Sequence, residues 1–149
     1  MITWKPIREV EYLVIHCSAT PEDMDIGAEE IKRWHLQRGW LDIGYHYVIR
    51  RDGTVEKGRN DNVPGAHARG YNEKSLGICL IGGVESDKQT PEANYTHAQW
   101  DSLEHLVRTL SGDHEDAEVI GHRDLPGVNK ACPSFDVPEW WVSRNKDAV

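Results

Sequence analysis

Short apolar runs alternate with amphipathic stretches along the whole chain. Tyr12-Leu13-Val14-Ile15 is an uninterrupted apolar run that ends at His16, the pattern of a strand buried on both faces. From Ala28 to Arg38 the pattern becomes helical, with Ile31, Trp34, His35 and Arg38 at i, i+3, i+4 and i+7 and Gly39 as the stop. The acids of PEDMDIGAEE stand before that helix, where its dipole favours negative charge. Asp23, Asp25 and Gly27 echo a calcium loop, but the glycine falls at the fifth place instead of the sixth. Tyr45–Arg50 reads as a strand, and Asp52-Gly53 as a hairpin turn into Thr54–Glu56.

Leu76–Ile81 is a further strand, ending at Gly82-Gly83. Thr96 is placed to cap a helix through Leu110, with Trp100, Leu103, Leu106, Val107 and Leu110 on one stripe. Glu118–Gly121 is a short strand that delivers His122. A loop is expected from Arg123 to Pro133, then a short closing helix begun by Pro138 in PEWWVSRN. Strands and helices interleave, so the fold class is α/β around one sheet.

At 149 residues one domain, 1–149, is expected, and no linker or repeat divides it. Six Trp and five Tyr supply a real core, which argues against disorder. The formal charge is −8, and a protein that coats a phosphate backbone is basic, so direct nucleic-acid binding is not expected. No apolar run approaches a bilayer span, and MITWKPIREVEY carries charges where a signal peptide needs an apolar stretch. Synthesis in a cytoplasm without a signal peptide, no membrane partner and a monomeric state are the expectations. The three cysteines, Cys17, Cys79 and Cys132, form an odd set without framework spacing, which favours reduced thiol chemistry over disulfides.

Two histidines, His16 and His122, each follow a short buried strand, where α/β sheets build their sites. Cys132 lies ten residues beyond His122 on the same loop. Two His and one Cys form a known three-ligand zinc set with a fourth position left for water or substrate, and thiolate with imidazole selects zinc. Spacing alone leaves the metal open, because with eight His some fall at strand ends by chance. A cysteine hydrolase with Cys132 as nucleophile and His122 as base fits the same residues.

The segments IHCSAT (15–20), GYHYVIRRDGTVEKGR (44–59), GAHARGYNEKSLGICLIGG (65–83) and GHRDLPGVNKACPSFD (121–136) resemble the zinc-dependent N-acetylmuramoyl-L-alanine amidases, a family that includes the peptidoglycan recognition proteins. The pattern looks most like that of the short single-domain phage endolysins, and it runs in family order from about residue 11 to residue 141. The resemblance implies a single domain with a central mixed β-sheet flanked by helices and no separate wall-binding module. It implies one zinc ion on His16, His122 and Cys132, with Tyr45 and Lys130 catalytic. Amide hydrolysis is consistent with those roles, since it needs a nucleophile at neutral pH and a positive charge or donor for the oxyanion. The GHRDLPGVNKAC loop is slightly longer than the phage pattern suggests.

The resemblance also places the GAHARGYN loop beside the substrate cleft, making His67 a candidate substrate contact, whereas Asn72 is expected to pin that loop. His46 is expected to face away from Tyr45 and to pack or hydrogen-bond, and His35 to be a satisfied, semi-buried histidine. His97, His105 and His114 are expected to be solvated. Cys17 should point away from the metal and Cys79 should be a small buried residue. The Asn94-Tyr95-Thr96 sequon is coincidental without a secretory signal.

The implied activity is hydrolysis of the amide between N-acetylmuramic acid and L-alanine of peptidoglycan, acting as an endolysin on the cell wall after membrane permeabilisation. Alternatives are an additional or primary role as an inhibitor binding phage RNA polymerase, which the resemblance to phage lysozyme-like amidases brings in, and the cysteine-nucleophile wall hydrolase.

Overall fold

A computed structural model describes residues 9–146. Five strands form one sheet in the order β3-β2-β4-β1-β5. They are β1 (Tyr12–Cys17), β2 (Tyr47–Ile49), β3 (Val55–Lys57), β4 (Ser75–Leu80) and β5 (Glu118–Gly121). The sheet is mixed: β1 runs parallel to both β4 and β5, β2 runs parallel to β4, and β3 closes a hairpin on β2. Among the described residues three α-helices accompany it, α1 (Ala28–Gln37), α2 (His97–Asp113) and α3 (Val137–Lys146). None of the described helices is long and apolar enough to cross a membrane.

Alternation along β1 divides the core. Leu13, Ile15 and Cys17 face α2 and α3, where they join Leu103, Val107 and Val137. Val14 packs on the opposite face with Ala68 and Leu125. On that opposite face Val48 and Cys79 also receive Ile31 of α1. Each large aliphatic side chain taken fully out of water contributes about 1.5–3 kcal/mol relative to exposure, so the stripe of α2 alone explains its attachment. Gln99 adds a polar clamp within it: fully buried, it donates Nε2 to the carbonyls of Ile49 and Ile81 at 3.2 and 2.8 Å. That tie joins α2 to the ends of β2 and β4, and no periodicity in the sequence marks it.

The helix boundaries follow local chemistry. The Thr96 hydroxyl accepts from the N–H of Gln99 at 3.1 Å while Gln99 Oε1 accepts from the N–H of Thr96 at 3.0 Å, a reciprocal cap. Helix α2 outlasts its apolar stripe by three residues, because Ser111, Gly112 and Asp113 are tolerated in a solvated last turn. Helix α1 stops one residue earlier than its stripe, with Arg38 as cap and Gly39 at φ +88°. Helix α3 starts at Val137 instead of Pro138, since Asp136 Oδ1 already accepts from the N–H of Glu139 at 3.0 Å. Among the described residues, short 3-10 turns occupy Asn72–Lys74 and His122–Asp124, the second running from the expected strand end into the stretch expected to be loop.

The strand expected from Tyr45 is regular only from Tyr47. Gly58 presses its backbone against the Tyr45 carbonyl, closer than any side chain would allow. Tyr45 and His46 sit in an irregular lead-in, where Tyr45 escapes the alternation that His46 still keeps with Val48.

Candidate metal centre and active-site cleft

Strand register builds the first half of the site. Ile15 pairs with Gly121 across the parallel β1–β5 ladder, so the next residue on each strand, His16 and His122, emerges side by side at the C-terminal sheet edge. Their rings lie 4.5 Å apart. Cys132 returns to the same edge on the loop after β5. The N–H of Arg123 donates to the Cys132 carbonyl at 2.9 Å, closing that loop on itself. The Cys17 N–H donates to Cys132 Sγ at 3.1 Å, Tyr95 donates its hydroxyl to the Pro133 carbonyl at 2.6 Å, and Ser134 donates to the Gly83 carbonyl at 2.8 Å. One ligand atom from each of His16, His122 and Cys132 lies within 4.8 Å of the other two. Among the described residues this is the one cluster of such groups close enough to hold an ion.

The chemistry of the donor set suits a metal. Burial above all, with the neighbouring His67 and His122 next, holds His16 well below the ordinary imidazole pKa. Burial and then the Lys130 charge lower His122 as well. Both rings are thus neutral at physiological pH, as a ligand imidazole must be. A hydrogen bond with Cys17 and burial push the Cys132 thiol up, so its conversion to a ligand thiolate has to be driven by the charge of the ion itself.

These three residues open into a cleft of about 270 Å³ whose walls include Trp34, His35, Trp40, Tyr45 and Lys130. A second hollow of about 510 Å³ continues past Lys130 towards Arg69, Asn72 and Val128. The Tyr45 ring is 5.1 Å from that of His16. Burial raises the Tyr45 phenol well above its usual range and a hydrogen bond with the Cys79 thiol adds to this, so it stands as a protonated donor. Lys130 is exposed at the mouth, and its charge is felt at both His16 and His122.

The remaining histidines separate by environment. His46 is fully buried, with Nε2 at 2.7 Å from the Val63 carbonyl and Nδ1 accepting from the Gly77 N–H at 3.0 Å. Its hydrogen-bonding role is as expected, but its position is not. The irregular lead-in places Tyr45 beside His16 and His46 beside His67, whose ring is 5.8 Å away, so both share the site face. His35 is buried and accepts from the Gly44 N–H through Nδ1 at 2.9 Å, which fixes the residue before Tyr45. His97 and His105 are exposed. Asn72 Oδ1 accepts from the N–H groups of His67 and Ala68, both at 2.9 Å, and so pins the loop. Cys17 joins the α2-side core but, against expectation, does not stand clear of the cluster, because its thiol is hydrogen-bonded to Cys132. Cys79 is fully buried.

His67 borders the cleft, but both ring nitrogens have protein partners, His16 and Ser75. The basis for a hydrogen bond from His67 to substrate is therefore missing in this arrangement. Sequence reasoning missed Ser75, Tyr95 and Gln99. Only the cap position of Gln99, three residues after Thr96, could have drawn notice.

The family model for N-acetylmuramoyl-L-alanine amidase matches residues 6–135. The chain belongs to the N-acetylmuramoyl-L-alanine amidase family. The endolysin of Klebsiella phage KP32 is 48% identical over 134 residues, covering 90% of this chain and 87% of the relative. Among solved structures, the amidase LysC from Clostridium intestinale superposes with a TM-score of 0.75 at 26% identity, covering 98% of this chain and 95% of the other. The bumblebee recognition protein PGRP-SA also reaches 0.75 at 28% identity, over 93% of this chain and 84% of its own. The amidase fold with its mixed sheet is thus the fold of this chain.

Proposed function

We propose that this amidase is an endolysin that hydrolyses the N-acetylmuramoyl–L-alanine amide of peptidoglycan with one zinc ion held by His16, His122 and Cys132. The observation that carries the reading is the convergence of two neutral imidazoles and a thiol on one point at the mouth of a cleft. Zinc supplies Lewis acidity and a nucleophile usable at neutral pH when bound to such a set.

The chain's own residues do the rest. Lys130 offers its ammonium to the carbonyl oxygen as negative charge develops there, a role suited to a cation tethered two residues from a ligand. Tyr45, kept as a neutral phenol, holds a proton beside the reacting centre and turns it from the Cys79 thiol to donate there. Trp34 and Trp40 wall the cleft and exclude water from one side. The groove beyond Lys130 supplies length for the peptide stem. A monomer made in the host cytoplasm would act on the wall after membrane permeabilisation.

Digestion of purified peptidoglycan tests the bond. New L-alanine amino termini on released stems with intact glycan strands are the expected products. Cleaved glycan or any other new amino terminus would refute it. Excess chelator should abolish the activity, whereas a hydrolase using Cys132 as nucleophile would survive. Binding to phage RNA polymerase is a separate property, read by co-elution of the two purified proteins.

A further inference from the structure

The hydrogen-bond chain behind His16 has a direction. Ser75 is fully buried, and its hydroxyl lies 2.7 Å from the Tyr71 carbonyl oxygen. A carbonyl only accepts, so the single Ser75 hydroxyl proton is spent on Tyr71. Ser75 Oγ is also 3.3 Å from His67 Nε2, and with its own proton committed it meets that nitrogen as an acceptor. The His67 proton therefore sits on Nε2. The Ser75 backbone carbonyl, another group that only accepts, is hydrogen-bonded to the same ring.

With its proton on Nε2, His67 has a lone pair on Nδ1. That atom is 2.8 Å from His16 Nε2, so His16 must carry its proton on Nε2 and donate it. The lone pair left on His16 is then on Nδ1. Rotation of the His67 ring is blocked as well: a Cβ on Gly77 would lie 2.6 Å from His67 Cγ, so the ring rests directly on that glycine. Asn72 fixes the His67 backbone from the other side.

We propose that His67 is a positioning residue, oriented by Ser75, that fixes the tautomer and rotation of His16 and so presents Nδ1 to the metal. The proposal rests on the zinc reading above and deepens it. Ligand imidazoles commonly depend on a partner for their other nitrogen, and losing that partner typically weakens metal binding 10- to 100-fold. Here the partner is a second neutral histidine instead of a carboxylate. That choice adds no charge behind the ligand, in keeping with the burial of His16.

The test measures zinc affinity by chelator competition, with histidine tautomers read from long-range 1H–15N spectra of the zinc-loaded and metal-free protein. His16 and His67 should both show Nε2–H. His67→Phe should weaken zinc binding 10- to 100-fold. His67→Asn, whose amide oxygen can stand in for Nδ1, should recover most of that loss, and Ser75→Ala should fall between them. If His67→Phe does not fold, Ser75→Ala and the wild-type spectra still decide. His16 protonated on Nδ1 without metal, or unchanged zinc affinity in both His67→Phe and Ser75→Ala, overturns the proposal. So does a raised KM for wall fragments with unaltered zinc affinity, which would make His67 a substrate contact. A wild-type protein that binds no zinc would refute the metal reading instead, while the metal-free spectra would still settle the His16 tautomer.

Discussion

Acid should loosen the wall of the cleft through His35. This ring is 7% exposed, and its Nδ1 accepts from the Gly44 N–H at 2.9 Å, a bond that a proton on Nδ1 abolishes. Burial, reinforced by the Arg38 and Arg59 charges, lowers its pKa to about 4, well below the ordinary imidazole value. Because the folded value is depressed, the unfolded chain takes up the proton first as pH falls. The stabilisation is thus complete above about 6.5 and disappears as pH drops towards 4. The full difference is worth roughly 3 kcal/mol, of which about 2 kcal/mol is lost between pH 7 and pH 5. For a chain of this size that corresponds to a fall in Tm of about 4–8 °C. His35→Asn keeps an acceptor near the place of Nδ1 but cannot be protonated in this range. Denaturant unfolding of both proteins at pH 7 and pH 5, with chelator present, isolates the contribution, since the other histidines are common to both. The wild type should lose about 2 kcal/mol more than His35→Asn. Parallel losses in the two proteins would refute the argument.

His16→Ala, His122→Ala and Cys132→Ala should each lose most bound zinc and essentially all lysis, and chelation should lower the wild-type Tm, as elemental analysis and calorimetry will read. Cys17→Ser and Cys79→Ser should keep the metal, at a packing cost of about 1–2 kcal/mol. Lys130→Ala should retain near-stoichiometric zinc yet slow turnover on the order of 10²–10³-fold, and Tyr45→Phe about 10²-fold; a wild-type rate in either would remove the role assigned. Gln99→Met should cost about 1–2 kcal/mol in urea unfolding by removing one of the two donors at each of the Ile49 and Ile81 carbonyls, which keep the Ile81 N–H and Arg51, with zinc content unchanged.

Much of the fold was legible because its signals are local. The apolar run before His16, the Thr96 cap and the stripe of α2 each announce themselves within one element. What stayed hidden depends on partners distant in sequence. Beside Gly58, which presses on its carbonyl, Tyr45 leaves the alternation of β2 while His46 keeps it with Val48, so both reach the site face. Ser75 looks like an ordinary first residue of a strand, and only the meeting of three loops and strands makes it a neighbour of His67 and Tyr71.

The metal ligands lie between these extremes. Nothing in the residue spacing brings His16 and His122 together, since 106 positions separate them. Adjacency of β1 and β5 does so, and only in one register. Side chains alternate between faces along a strand, so a slip of one residue would turn a ligand towards α2 and α3. The register is held by burial on both faces: Leu13 and Ile15 are sealed on one side and Val14 on the other, each with no exposure at all. A polar strand end is thus fixed by the apolar residues before it. Cys132 needs no strand, because its loop is tied to the sheet by the Cys17 N–H and to Gly83 through Ser134. Hydrophobic burial sets where the two imidazoles emerge, and backbone hydrogen bonds then bring the thiol to meet them.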